Sequence, residues 1–301
     1  MDQKQKTLIV IAGPTAVGKT ALAIELAKHY QTEIVSADSR QFFREMNIGT
    51  AKPTDDELAE AKHWFVNSHT VTEDYNVGDF EQDGLRALDE IFATHDMAIL
   101  AGGSGLYIKA ICEGFDDLPS TNKFIRAELN TTIEEKGLAF LQEELKTADP
   151  VYYAQVDINN PHRVIRALEV IRETGKPFSL FRTANVRHRS FHIVKIALNL
   201  PREVLYDRIN QRVDLMMEQG LLKEVTSLLP YRDYNALNTV GYSELFDYLD
   251  GQSDLPTAIA LIKQNTRRFA KRQITWFNRD KDFTWFEPGQ VDEIIKHIDL
   301  S

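Results

Sequence analysis

The strand-like run Thr7–Ala12 and the loop that follows it, Gly13-Pro14-Thr15-Ala16-Val17-Gly18-Lys19-Thr20, constrain this chain more than any other feature. The run is short, apolar and β-branched, and it stops at a glycine, as a buried strand does; a helical pattern then resumes over 19–29. The loop fits the pattern G-x-x-x-x-G-K-[ST]. Its glycines let successive backbone N–H groups curl around phosphate oxygens, and the helix N-terminus adds partial positive charge. Lys19 would neutralise the phosphate, and the Thr20 hydroxyl would complete the shell of a Mg²⁺ ion. An ordinary glycine turn would not need a strand before it and a helix after it.

Further short apolar runs at 33–37 and 97–101 each end in polar or glycine residues, so strand and helix alternate. That alternation predicts a parallel sheet covered on both faces, with ligands at the carboxyl ends of its strands. Asp38-Ser39 and Gly102-Gly103-Ser104 should therefore converge on the phosphate loop. After Gly114 the character changes. Over 123–174 the spacing of Leu, Ile and Ala is helical, punctuated at Asp149-Pro150 and Asn159-Asn160-Pro161 and closed at Gly175-Lys176-Pro177. A strand follows at 193–198, then helices at 202–219, 239–249 and 257–277, and a last strand at 283–286. The expected fold is α/β: a P-loop-containing parallel-sheet core made of 1–116 and 188–301, with a mostly helical insertion domain at 117–187.

At 301 residues, 43% hydrophobic and 27% charged, the composition is that of a globular enzyme. No apolar run is long enough for a membrane span or signal-peptide core, and the single cysteine, Cys112, excludes an internal disulfide or a cysteine-rich zinc module. A cytoplasmic location is expected. Net charge is −10, yet bases gather at 161–195 and 263–281. These segments are either solvated helix faces or a basic surface offered to a polyanion. Arg268 and Arg272, four residues apart, share one helix face, whereas Trp276 and Phe277 at its end read as core packing.

Asp38 has two readings: a turn former or helix cap, or a carboxylate that holds Mg²⁺ or accepts a proton. An ATPase of this architecture carries an acid at the end of the 97–101 strand; Gly102-Gly103-Ser104 is the wrong pattern for a hydrolytic motor.

The chain resembles the bacterial tRNA dimethylallyltransferase (tRNA isopentenyltransferase) family. Matching segments are the phosphate loop, Asp38-Ser39-Arg40-Gln41, Asn47-Ile48-Gly49-Thr50-Ala51-Lys52-Pro53 and Gly102-Gly103-Ser104-Gly105-Leu106-Tyr107. They continue with Arg163, Arg166-Ala167-Leu168-Glu169-Val170, Thr174-Gly175-Lys176-Pro177, Val240-Gly241-Tyr242 and Ala270-Lys271-Arg272-Gln273-Ile274-Thr275-Trp276. The order is the family's, across nearly the whole chain. The resemblance implies transfer of dimethylallyl from dimethylallyl diphosphate to N6 of adenosine 37 in the tRNA anticodon loop, with loss of diphosphate. It makes Asp38 the general base, puts Ser104 (usually Thr in the family) near the reacting amine, and assigns Arg212 with Lys19 and the 13–20 loop to the diphosphate. Mg²⁺ is the implied cofactor, and a monomer is expected.

By the same resemblance, contacts with the tRNA anticodon stem-loop fall on Asp38, Ser39, Arg40, Gln41 and Ser104. They also fall on Arg126, on Asn160, Pro161, His162, Arg163 and Val164, and on Asn238, Thr239, Val240, Gly241, Tyr242 and Ser243. Without the resemblance, Arg126 and Arg163 read as solvated surface residues. Two departures stand out: Phe43 replaces the family's usual Tyr, and the pattern around His63 and His69 differs from the family's paired histidines. These two histidines have no companion ligands and are not expected to hold a metal. Rival readings are a prenyltransferase acting on a free adenine nucleotide, a small-molecule kinase using ATP, and a non-catalytic RNA-binding switch. The basic insertion favours tRNA over a nucleotide, and Gly102-Gly103 supplies no nucleotide sensor for the switch.

Overall fold

The computed structural model describes residues 5–116, 118–119, 121–182 and 186–301. In chain order its elements begin with β1 (Thr7–Ala12), α1 (Lys19–Tyr30), β2 (Ile34–Ser36), α2 (Asp55–Glu60), β3 (His63–Trp64), α3 (Val77–Thr94), β4 (Met97–Gly102) and α4 (Gly105–Glu113). Four helices follow: α5 (Lys123–Lys136), α6 (Leu138–Ala148), α7 (Pro150–Tyr153) and α8 (Pro161–Thr174). The chain then runs through β5 (His192–Leu198), α9 (Arg202–Glu218), α10 (Leu221–Ser227), α11 (Ser243–Leu249), α12 (Leu255–Phe277), β6 (Thr284–Phe286) and α13 (Val291–Asp299).

The six strands pair in parallel in the order β3-β2-β4-β1-β5-β6. β1 is central, with Ala12 level with Gly102 of β4 on one side and Ala197 of β5 on the other. Strand side chains alternate faces, and both faces are covered, so β1 reads as a continuous apolar run. Ile9 and Ile11 pack with Leu22 and Leu26 of α1, Leu205 and Ile209 of α9, and Ile294 and Ile298 of α13. Leu8, Val10 and Ala12 face the other way, onto Phe80, Leu88 and Ile91 of α3 and Ile108 and Ile111 of α4. A third apolar cluster joins α9, α10, α11 and the start of α12 around Phe43, Met46 and Tyr242.

Two compact units emerge, one of Met1–Cys112 with His188–Ser301, the other Glu113–Arg187. The second unit begins at Glu113, the last residue of α4, four residues before the expected 117; Asp117 itself lies outside the described residues. It is helical, and α5, α6, α7 and α8 enclose their own core of Leu129, Leu141, Leu145, Tyr152, Val164 and Leu168. Local chemistry sets α8: Asn160 caps it by accepting from the Arg163 N–H, Pro161 takes the first position, and Gly175 ends it. Asp149, 1% exposed, caps α7 through the Tyr152 N–H and also accepts from the Ser179 N–H and hydroxyl. Among the described residues, no helix is long and apolar enough to cross a membrane.

The 239–249 helix of the sequence reading is shorter in the structure, starting at Ser243, because Thr239 to Tyr242 form a turn instead. Fully buried Leu168 tests the insertion's core. Leu168→Ala is expected to cost that unit about 2–5 kcal/mol, read as faster amide exchange across 113–187.

Candidate active site

The carboxyl ends of β1, β2 and β4 bring three turns together. At the end of β1, Gly13 takes φ +144°, and a Cβ there would stand 2.7 Å from the Leu198 carbonyl oxygen, so only glycine fits. The loop then curls into α1, whose first residue is Lys19. Lys19 Nζ donates to the Pro14 carbonyl at 2.7 Å, bracing the loop across its mouth. Burial pushes the Lys19 pKa down to about 8; the Arg212 charge adds to this and Asp38 opposes it. Arg212, on α9, donates to Thr15 Oγ1 at 3.2 Å. Its burial also lowers its pKa, again opposed by Asp38, but a guanidinium stays charged near neutral pH. Lys19 and Arg212 thus place two basic groups beside the Asp38 carboxylate.

Asp38 follows β2 and does two things. Its Oδ1 accepts from the Arg40 N–H at 3.0 Å, the turn-forming role, while the residue also lines the cavity beside Lys19, Thr20 and Arg212. The turn is anchored just beyond Gln41 by the wholly buried Phe42, which packs on Phe80, Tyr75 and Tyr107. After β4, Ser104 Oγ accepts from the Ser39 N–H at 3.0 Å and lies 3.2 Å from the Ser39 hydroxyl. Ser104 therefore ties the β4 turn to the β2 turn.

Gln273 of α12, buried and without a role in the sequence reading, locks two turns at once. Its Oε1 accepts from the Thr15 N–H and its Nε2 donates to the Gly103 carbonyl, each at 2.9 Å. The Thr15 amide is thus engaged by Gln273. Gln41 is likewise a brace, donating to the Thr50 and Ala51 carbonyls and accepting from the Ser36 hydroxyl.

These residues line two adjoining cavities. The larger, of about 300 Å³, runs from the phosphate loop and Asp38 past Thr50 and Ala51 to Glu57 and His63. The smaller, of about 100 Å³, is walled by Val213, Met216, Leu221, Ile262 and Phe269, with Arg40, Thr239, Val240 and Gly241 at its polar side. Thr15, Ala16, Asp38, Thr50 and Arg212 belong to both. The cavity that holds Lys19 therefore abuts a largely apolar one at the Asp38 carboxylate.

Other candidate residues are placed differently. Tyr242 and Val164 are wholly buried, so neither side chain can touch RNA: Val164 packs in the insertion core, and the Tyr242 hydroxyl donates to Glu224 at 2.7 Å. Asn238 offers its carbonyl to Arg40 at 3.4 Å, the Gly241 N–H is held by Glu244, and the Ser243 hydroxyl returns to the Thr239 carbonyl. In the insertion, Arg126 makes a two-pronged pair with the buried Glu169, which Arg166 joins at 3.3 Å. Pro161, His162 and Arg163 are exposed at the start of α8, where Asn160 is the cap. Phe43 is buried in the third cluster, with no hydroxyl to offer. His63 Nδ1 pairs with the Ala61 carbonyl, and His69 Nδ1 with the Ser68 hydroxyl. Phe277 is core, but Trp276 is 37% exposed with its ring against Gly105, because the helix face turns outward there.

Comparison with known proteins converges on one family. The IPP transferase family model matches residues 41–280. A tRNA dimethylallyltransferase of Christiangramia forsetii is 55% identical over 97% of this chain and 95% of that protein. One from Cytophaga hutchinsonii is 50% identical over 98% and 97%. Among solved structures, a tRNA isopentenylpyrophosphate transferase from Bacillus halodurans is 38% identical, with a TM-score of 0.71 and coverage of 98% of this chain and 94% of that one. A eukaryotic dimethylallyltransferase described as acting on tRNA is 26% identical, with a TM-score of 0.78 and coverage of 98% and 77%.

The depressed Lys19 sets a pH dependence. The protonated amine binds anions and an anion in turn raises its pKa, so the contribution of Lys19 to affinity declines as pH rises through about 8. An ordinary lysine would hold to 10.5. Calorimetric titration with inorganic diphosphate, comparing wild type with Lys19→Met, should show an affinity ratio that is flat below that point and falls toward one above it. A ratio unchanged up to the ordinary lysine range would contradict the placement of Lys19.

Proposed function

The chain belongs to the IPP transferase family, and on that premise we propose that it transfers the dimethylallyl group of dimethylallyl diphosphate to N6 of adenosine 37 in the tRNA anticodon loop, releasing diphosphate. The observation that carries this reading is Asp38 standing with Arg212 at the wall shared by the two cavities, with Lys19 beside them in the larger one, while the turn after β4 carries Gly102-Gly103 and no acid. A phosphate loop without that acid suits a diphosphate that departs better than one whose phosphoryl bond is to be split.

The chemistry follows from the geometry. The phosphate loop, Lys19 and Arg212 bind the diphosphate. As the allylic C–O bond breaks, its electron pair leaves on the diphosphate oxygen, and these fixed cations stabilise the developing charge. The N6 lone pair forms the new C–N bond, and the N6 proton passes to the Asp38 carboxylate, which offsets the poor nucleophilicity of an amine conjugated with its ring. The apolar walls at Val213, Met216, Ile262 and Phe269 suit the five-carbon group. Among the described residues no cluster of three His, Cys, Asp or Glu forms. This fits a Mg²⁺ held mainly by diphosphate and water, with the Thr20 hydroxyl as the protein ligand. Bound there, the ion would neutralise further charge on the leaving group.

The acceptor base must leave its stack to reach the cavity. Asp38, Arg40, Gln41, Thr239, Val240 and Gly241 line the cavities and, with their neighbours Ser39, Asn238 and Ser243, are the acceptor-side contacts in this reading. The exposed His162 and Arg163 of the insertion, with Arg126, meet the stem-loop. A free adenine nucleotide would make no use of such an insertion. A cytoplasmic monomer is part of the proposal.

The test incubates the protein with dimethylallyl diphosphate, Mg²⁺ and unmodified tRNA bearing adenosine 37, followed by nucleoside mass spectrometry. The prenyl mass on that adenosine is the expected result; its absence with folded protein sinks the proposal, and its appearance on free adenine nucleotide instead shifts the acceptor. Asp38→Ala should bind tRNA yet lose turnover by about a hundredfold or more. Wild-type turnover in single-turnover kinetics would return Asp38 to a turn-forming role.

A further inference from the structure

Glu224, near the middle of α10, lines neither cavity, yet it gathers four hydrogen bonds from elsewhere in the fold. The backbone N–H groups of Asn47 and Ile48 donate to its Oε2 at 3.0 and 2.8 Å, and that of Gly49 to its Oε1 at 3.1 Å. The Tyr242 hydroxyl adds a fourth, to Oε1 at 2.7 Å. Three consecutive amides aimed at one carboxylate form a nest, the arrangement that backbone uses to hold an anion. Gly49 completes it: a Cβ there would lie 2.5 Å from the Tyr242 ring, so only glycine lets the loop close onto Tyr242 and Glu224 together.

The loop held in this way continues directly into the site. Thr50 lines both cavities and Ala51 the larger one. Their carbonyls accept from Gln41 Nε2 at 3.4 and 3.2 Å. Gln41 closes the turn that Asp38 opens, and Ser36 at the end of β2 holds its other end. Hydrogen bonds therefore link α10 to the 47–51 loop and that loop to Gln41, which lies three residues along the backbone from Asp38. A formal charge on Glu224 matters because an ionised acceptor strengthens each of these bonds.

We propose that Glu224 is a positioning residue for the transfer reaction, holding Asp38 in register with the acceptor amine through the 47–51 loop and Gln41. This rests on the functional reading above. A staple that only stabilised α10 would leave the Asp38 turn untouched. Glu224→Gln keeps the size, removes the charge and replaces one acceptor oxygen with an NH₂ that cannot receive a backbone N–H.

In the full-length protein, kcat for Glu224→Gln should fall by about tenfold to a hundredfold, the scale of a small misplacement of a reacting group. KM for dimethylallyl diphosphate should change little, and amide exchange should quicken over both 47–51 and 38–41. Combined with Gln41→Ala, which cuts the same path, the losses in kcat should fall well short of multiplying. Wild-type kcat, faster exchange confined to 47–49, or fully multiplicative losses would each overturn the proposal. Should Glu224→Gln not fold, Tyr242→Phe removes one donor and keeps the ring; exchange at 38–41 and kcat are then read in the same way. If no protein, wild type included, transfers the dimethylallyl group, the functional reading fails, and exchange at 38–41 still decides whether Glu224 holds that turn.

Discussion

The hydrogen-bond ladder that places β1 between β4 and β5 sets the positions of the chemical groups. Because Ala12 is level with Gly102 and Ala197, the turns leaving β1 and β4 start side by side, and β2 on the far side of β4 delivers Asp38 to the same edge. In a parallel sheet every strand ends on the same side, so a register error of one residue would flip the strand's core side chains to the wrong face as well as moving its loop. Core packing and site geometry are thus secured by one set of bonds.

Concentrating Lys19, Arg212 and Asp38 at that edge works against folding. Burial disfavours the charged form of each amine or guanidinium, as the lowered Lys19 pKa records. Asp38 offsets part of that cost without cancelling it. The neutral amide of Gln273 is suited to brace such a place, since it satisfies a donor and an acceptor of the two turns without adding charge. Ser104 and Gln41 brace by the same means. Beside the charged contacts of Lys19, Arg212 and Asp38, these braces add no net charge to the site.

Much of the frame is legible in the sequence, because local patterns carry it. The strand at Thr7–Ala12, the glycine loop, the polar ends of the next two strands and the shift to helical spacing after 123 are each short-range signals. α3 carries one as well, with Phe80, Ala87, Leu88 and Ile91 on one buried face behind the Asn76 cap, though it is absent from the expectations drawn above; β3, two residues long, has no pattern to read. What local pattern cannot supply is partnership. Gln273 meets Thr15 across 258 residues and Glu224 meets Ile48 across 176, and nothing near either residue announces it. Tyr242 and Val164 mark the converse case: each sits in a segment that the family resemblance assigns to tRNA, and only the packing reveals that the side chain points inward.

α12 touches all three clusters of the larger unit, through Ile262, Ala270 and Phe277. Its 23 residues make a rod about 34 Å long. Adding or deleting one residue between its Asp254 cap and Gln273 would swing everything beyond by about 100°, taking the amide away from Thr15 and Gly103 while turning Ala270 or Phe277 out of its slot. Over evolutionary time, then, this helix should accept changes of residue on its outer face but not changes of length. Lineages of this enzyme should drift apart in loop sizes while keeping a constant count of residues along this one segment.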